Sequence, residues 1–171
     1  KIGRKLFIGF SCAIVLLAAV GVFGVWGSGE IYEALENTLF KRLPALDNLI
    51  QSDRDLQQLL VAERSMIFEN ASSERFKVLL ADYDENLRQS QERIEKYEAL
   101  GLTEDEQKIL DQYKKDRKAW EALSLQVKKG REEDTRAGRR LAIDLTLNQA
   151  SAAFDKMRKN LDKLQILNDE M

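Results

Sequence analysis

The chain is predicted to be all-α, an antiparallel up-down-up-down four-helix bundle preceded by one transmembrane helix. Three observations predict it. Residues 6 to 26, LFIGFSCAIVLLAAVGVFGVW, form an uncharged apolar run. From Glu30 onward only Pro44 interrupts a composition rich in Leu, Ala, Glu, Lys, Arg and Gln, the residues that lose least on entering a helix. Within that stretch apolar residues recur at three-and-four spacing, the period of a helix with one buried face.

The apolar run comes first. At the helical rise it reaches roughly 30 Å, the thickness of a bilayer's hydrocarbon core, whereas a cleaved signal has an apolar region of about 7 to 15 residues. Bulky Phe23, Val25 and Trp26 interrupt Gly21, Gly24 and Gly27, so no small-x-small cleavage frame stands out and the run reads as a retained anchor. Lys1, Arg4 and Lys5 are expected to hold residues 1 to 5 in the cytoplasm, with 28 to 171 on the other side and Trp26 at the outer interface.

The outer part breaks at three places. Asn70-Ala71-Ser72-Ser73-Glu74 offers Ser72 or Ser73 as an N-cap, with Glu74 in the first turn to complement the helix dipole. At Leu100-Gly101-Leu102-Thr103-Glu104-Asp105-Glu106, Gly101 suits a left-handed helix end and Thr103 with Glu106 spells a capping box. Lys128-Lys129-Gly130 reads as a helix end, and Glu132-Glu133-Asp134-Thr135 as the next start. Helices are therefore expected over about 28 to 70, 73 to 100, 103 to 130 and 134 to 171.

Each of the last three has a stripe. The second carries Phe76, Leu80, Tyr83, Leu87, Ser90, Ile94 and Tyr97; the third carries Ile109, Tyr113, Trp120, Leu123 and Val127. Ile143, Leu147, Ala150, Phe154, Met157, Leu161, Leu164, Asn168 and Met171 keep phase through the fourth and favour one unbroken helix. Because Thr146-Leu147-Asn148-Gln149 also resembles a capping box, a competing reading extends the third helix to about Asp144 and starts the last at Thr146. Tyr83, Tyr97, Tyr113 and Trp120 are expected in the core.

Lengths give the topology. The first and fourth segments, at about 60 Å, match each other, as do the middle two at about 42 Å. The first helix would leave the membrane, the next two go down and back, and the fourth return to the bilayer. A chain that returns is expected to re-enter, so the sequence reads as the front part of a longer protein. Pro44 falls in a helix interior about 24 Å beyond the span, where a kink is expected, serving either as a bend that wraps the bundle or as a hinge.

Composition removes whole classes of function. Without Lys1, Arg4 and Lys5 the chain has 24 cations against 29 anions, so the outer part is acidic and nucleic acid is not an expected partner. Histidine is absent, which takes away the commonest general base and metal ligand. Cys12, the single cysteine, lies inside the apolar run and cannot staple the outer domain. With no phosphate loop, nucleophile elbow or paired catalytic carboxylates, an enzyme is not expected, nor a metal or other cofactor.

Binding residues are the alternative. Arg54 and Arg64 lie about 15 Å apart along the first helix, too far to clamp one small anion together. Each guanidinium could recognise a carboxylate in a bidentate way, or be a solvated charge paired with a helix neighbour such as Asp53 or Asp55. With the first loop at about residue 71, level-matching sets Arg54 opposite the Leu147 region, where Thr146, Asn148 and Gln149 are polar. These residues make up the candidate site for a small anionic or zwitterionic ligand, an organic acid or amino acid.

The start KIGRKLFIGF leading into a span, the stretch LFKRLPALDNLIQSDRDLQQLLVAERSMIF and the late stretch ASAAFDKMRKNLDKLQILNDEM resemble methyl-accepting chemotaxis proteins, the bacterial chemoreceptors. The resemblance covers nearly the whole chain. It implies a periplasmic four-helix-bundle sensor on an inner-membrane span, a homodimer through the first helix, and small attractants bound near the subunit interface between the first and fourth helices. Binding, directly or through a periplasmic binding protein, would shift the fourth helix as the signalling helix. Arg54 and Arg64 carry over from the Arg-Asp-Leu and Glu-Arg matches. The same sensor on a histidine kinase or a diguanylate cyclase fits as well, and a membrane-anchored structural coiled coil that tethers partners is the reading from another class.

Overall fold

A computed structural model describes residues 2–170. Lys1, one of the three N-terminal cations, and Met171, the last residue of the fourth stripe, lie outside the described residues. All regular structure among them is helical, in two compact units that divide between Leu43 and Pro44.

The first unit is helix α1 (Ile2–Asn37) followed by a π-helical turn, Thr38–Arg42. None of the side chains of α1 is buried, and its apolar stretch is long and apolar enough to cross a membrane. The disturbance expected at Pro44 takes the form of this π turn. Leu43 donates its N–H to the carbonyl of Thr38, five residues back. Pro44 has no N–H to supply the regular bond that would come next, and a widened turn is one way a helix accommodates that loss.

The second unit holds the bundle. Its first helix, α2 (Leu43–Met66), buries Leu49, Ser52, Leu56, Leu59, Glu63 and Met66 on one stripe. It stops short of residue 70 in tight three-residue turns, with Ile67, Phe68 and Glu69 donating to Arg64, Ser65 and Met66. Asn70 then closes an Asx turn onto the Ser72 N–H at 3.0 Å. Ser73 caps α3 (Glu74–Glu98) by accepting from the Phe76 N–H at 3.1 Å. Gly101 has φ +77°, and Thr103 with Glu106 forms the reciprocal capping box of α4 (Glu104–Glu132).

The remaining boundaries correct the sequence reading. Helix α4 runs past Gly130, which is not a helix end but a crossing point. A Cβ on Gly130 would stand 2.6 Å from the carbonyl oxygen of Gly138 on the next helix. Thr135 caps α5 (Arg136–Leu147) through the Gly138 N–H at 2.9 Å. The fourth bundle helix is then broken at Asn148, with φ −119° and ψ −91°, and resumes as α6 (Gln149–Glu170). The unbroken stripe expected there included two outward residues. Ile143 and Leu147 are 42% and 65% exposed, while Gly138, Ala142, Leu145 and Thr146 face inward. The competing reading agrees in its late start, since the last helix begins at Gln149 close to Thr146, but not in its extended third helix, which ends at Glu132 rather than near Asp144.

One main core fills the bundle, built around Leu49, Leu56, Tyr83, Tyr97, Tyr113, Trp120, Phe154, Met157 and Leu161. Trp120 and Phe154 meet edge to face at 5.5 Å. Burying side chains of this size contributes about 2 to 3 kcal/mol each. A smaller cluster of Val127, Ala142 and Leu145 packs between α4 and α5. There the two backbones come close because glycines face each other.

Candidate functional site

An open groove of about 710 Å³ runs between α2 and α3. Arg54, Gln57 and Val61 line it from α2, and Arg75, Asp82 and Asn86 from α3. Both signs of charge are therefore available along its length. Arg54, with its side chain 52% exposed, donates through Nε and Nη2 to Asp55 Oδ1 at 3.0 and 2.7 Å. Asp55 is fully buried, so it orients the guanidinium from beneath. Arg93 of α3 approaches the same carboxylate, its Nε 3.8 Å from Oδ2, and neither of these two atoms has a hydrogen-bond partner among the described residues. A guanidinium carries five N–H donors, so Arg54 has donors beyond those on Asp55.

The other candidates lie elsewhere. Arg64 is exposed, with Nη2 3.5 Å from Ser151 Oγ. Asn148 turns its amide back onto the carbonyl and carboxylate of Asp144, both at 3.0 Å. Gln149 is exposed at the start of α6. Thr146 points into the core and donates to Glu63 Oε1 at 2.5 Å. The expected juxtaposition of Arg54 with Thr146, Asn148 and Gln149 is thus corrected: Thr146 is level with Glu63, and Arg158 of α6 is level with Asp53, which it grips through two bonds at 2.7 and 3.0 Å. The offset is nine positions on α2, about 13 Å. It arises because the helix ends are not level: Glu63 lies three residues from the end of α2 while Thr146 lies ten from the start of α5, so the fourth helix overhangs the end of α2.

Sequence reasoning missed the layer around Glu63. This carboxylate is fully buried and joins four helices: Ser124 Oγ of α4 donates to Oε2, Thr146 of α5 donates to Oε1, and the Tyr83 hydroxyl of α3 lies 2.7 Å from Ser124 Oγ. Burial pushes the Glu63 carboxyl above the ordinary carboxylate range, against the opposing effects of the Ser124 and Thr146 bonds and the Arg64 charge. Burial likewise raises the Tyr83 phenol. The signal was available in the stripe itself, since Glu63 follows Leu56 and Leu59 at core spacing.

The fold sets the class, an all-α four-helix bundle on a chain whose first helix is long and apolar enough to cross a membrane. Compared with known families, residues 1–171 match the model described as the four helix bundle sensory module for signal transduction, and the chain belongs to that family. It is the sensory module of chemoreceptors, a signalling sensor and not an enzyme family. No curated protein and no solved structure matches the chain.

Proposed function

We propose that this chain is the extracytoplasmic ligand-sensing part of a transmembrane chemoreceptor in the bacterial inner membrane, with its bundle in the periplasm. It takes a small anionic or zwitterionic molecule, an organic acid or amino acid, directly or through a periplasmic binding protein. Occupancy is relayed by a shift of the fourth helix, which a ligand can bias only through different affinities for two packings. The observation that carries this reading is the half-exposed guanidinium of Arg54, oriented by buried Asp55 at the edge of a groove that also holds Arg75 and Asp82. A carboxylate would pair with the arginines, and an ammonium group with Asp82. Support for a homodimer through the first helix comes from its outward apolar residues, Ile50 and Val61, 57% and 65% exposed in the second unit. Of the other candidate residues, Thr146 and Asn148 hold the fourth helix rather than ligand in this reading, and Arg64 and Gln149 remain solvent-facing.

The test is a thermal-shift screen of organic acids and amino acids on the full chain in lipid nanodiscs. A compound that raises the melting temperature in proportion to its occupancy, and loses the effect in Arg54→Ala, supports the groove as the site. A rise that survives Arg54→Ala removes the groove from the proposal.

A further inference from the structure

Glu63 lies outside the ligand groove and is fully buried in the bundle. Among the described residues no cation stands within ion-pair distance of it, and its two oxygens are held by hydroxyls from two other helices. A serine hydroxyl has one hydrogen. While Glu63 is ionised, Ser124 gives that hydrogen to the carboxylate and can only accept from Tyr83, so the chain of donors runs from Tyr83 through Ser124 to Glu63, with Thr146 arriving from the other side. A proton on Glu63 makes the carboxyl itself a donor. It then either reverses the Ser124–Tyr83 direction or turns on Thr146, and bonds assisted by a full charge become neutral ones of about half the strength.

Thr146 stands two residues before Asn148, where the fourth bundle helix breaks. Its hydroxyl fastens the end of α5 to α2, just ahead of that break. We infer that Glu63 is a proton-binding site whose occupancy sets how firmly the joint at Asn148 is held, a second input to the fourth helix independent of the Arg54 groove. The groups that face this layer are Arg64 from its own helix, Tyr83 and Asp84 from α3, Glu121, Ser124 and Lys128 from α4, and Thr146 from α5. Asp84 and Lys128 are paired with each other at 2.6 Å, which leaves Arg64 as the cation acting on Glu63.

Global stability and the joint should respond to acid in opposite directions. A carboxyl whose pKa is raised by folding contributes stability that is present below its unfolded pKa and is lost as pH rises through the folded value. Acid therefore favours the folded bundle through this group, while the weakened Thr146 bond loosens the joint.

The experiment is hydrogen–deuterium exchange by mass spectrometry on the full chain in nanodiscs of uncharged lipid, at about pH 5 and about pH 8, corrected for intrinsic exchange rates. The expected result is about tenfold less protection at the lower pH in peptides spanning 143–152, equivalent to weakening one charge-assisted bond. Glu63→Gln, which keeps the shape and removes the titration, should give the same protection at both pH values. Thr146→Val should give low protection at both, and Thr146→Ser should behave as the unaltered chain. A pH dependence that persists in Glu63→Gln, or its absence in the unaltered chain, overturns the inference. Because Glu63→Gln alone decides the titration, the test holds even where the valine variant folds poorly. Loss of ligand response at Arg54 would leave this outcome unchanged.

Discussion

The guanidinium of Arg131, 2% exposed, donates through Nε to the backbone carbonyl of Met66 at 2.9 Å, and so closes the end of α2 from the far end of α4. Its Nη2 reaches the Glu69 carbonyl at 2.8 Å, and its third nitrogen meets Asp134 at 3.2 Å. A cation at a helix C-terminus satisfies carbonyls that have no partner within the helix and complements the dipole. Arg131→Met keeps the stem and removes these bonds, leaving the Glu69 carbonyl without this donor and the Met66 carbonyl with only the long bond from the Glu69 N–H at 3.4 Å. The expected loss is about 2 to 4 kcal/mol, read from the midpoint of urea unfolding of the full chain. A change under about 0.5 kcal/mol would show that water replaces the guanidinium without cost.

The crossing of Gly130 and Gly138 gives a contrast with Gly101. An alanine methyl at 138 would meet the Gly130 carbonyl oxygen at 2.6 Å, which is backbone and cannot rotate away. At Gly101 the added methyl would meet nothing within 4 Å, and the cost comes from φ +77° alone. Gly138→Ala is therefore expected to destabilise by about 2 to 3 kcal/mol and Gly101→Ala by about 1 kcal/mol. Melting curves of the two variants side by side check the order, and an equal shift would remove the close approach as its cause.

How much could be read in advance follows from what each residue answers to. The capping box of Thr103 and Glu106, the Ser73 cap and the left-handed Gly101 answer to neighbours within a few positions, and each was visible as a string of letters. The three buried tyrosines and Trp120 answer to helical periodicity, also visible. Arg131 and Gly130 answer to residues on other helices. A lone arginine looks like a solvated charge and a glycine after two lysines looks like a helix end until the crossing is known. The ligand candidates failed to assemble for the same reason. Pairing Arg54 with Thr146 needed the register of two antiparallel helices, and the overhang of the fourth helix beyond the end of α2, which displaces that pairing by nine positions, is written in no local string of letters.

Glu106 titrates in the opposite sense to Glu63. Burial alone would raise its pKa, but donors from the Thr103 backbone and hydroxyl, then the Tyr97 hydroxyl at 2.9 Å, together hold it below the ordinary carboxylate range. A depressed folded pKa means stability that is present above the unfolded value, about 4.3, and lost as pH falls through the folded one. Acid unfolding should therefore draw on Glu106, and Glu106→Gln should flatten the stability profile below about pH 4 while losing part of the capping box at all pH values. Measuring unfolding free energy from about pH 3 to 7 in both chains tests this. Parallel curves would assign the acid sensitivity to other carboxylates.

Asp55 has two guanidiniums and is fully buried, which makes its energetics depend on both at once. Arg54 holds Oδ1 with two bonds, while Arg93 stands 3.8 Å from Oδ2. A buried carboxylate left without a cation is strongly destabilising, at about 3 to 5 kcal/mol, whereas one that keeps a cation loses less. Removing Arg54 leaves Arg93, whose side chain is 27% exposed and can close the remaining distance; removing Arg93 leaves the Arg54 bonds intact. Each single change to methionine should therefore cost about 1 kcal/mol, and the double change more than the two together, by about 1 to 3 kcal/mol. Asp55→Asn should abolish that excess, because an amide needs no counter-ion. The measurement is a double-mutant cycle by urea unfolding with and without Asp55→Asn. Additive costs would mean that Arg93 does not act on Asp55, and that Arg54 alone holds the carboxylate beneath the groove.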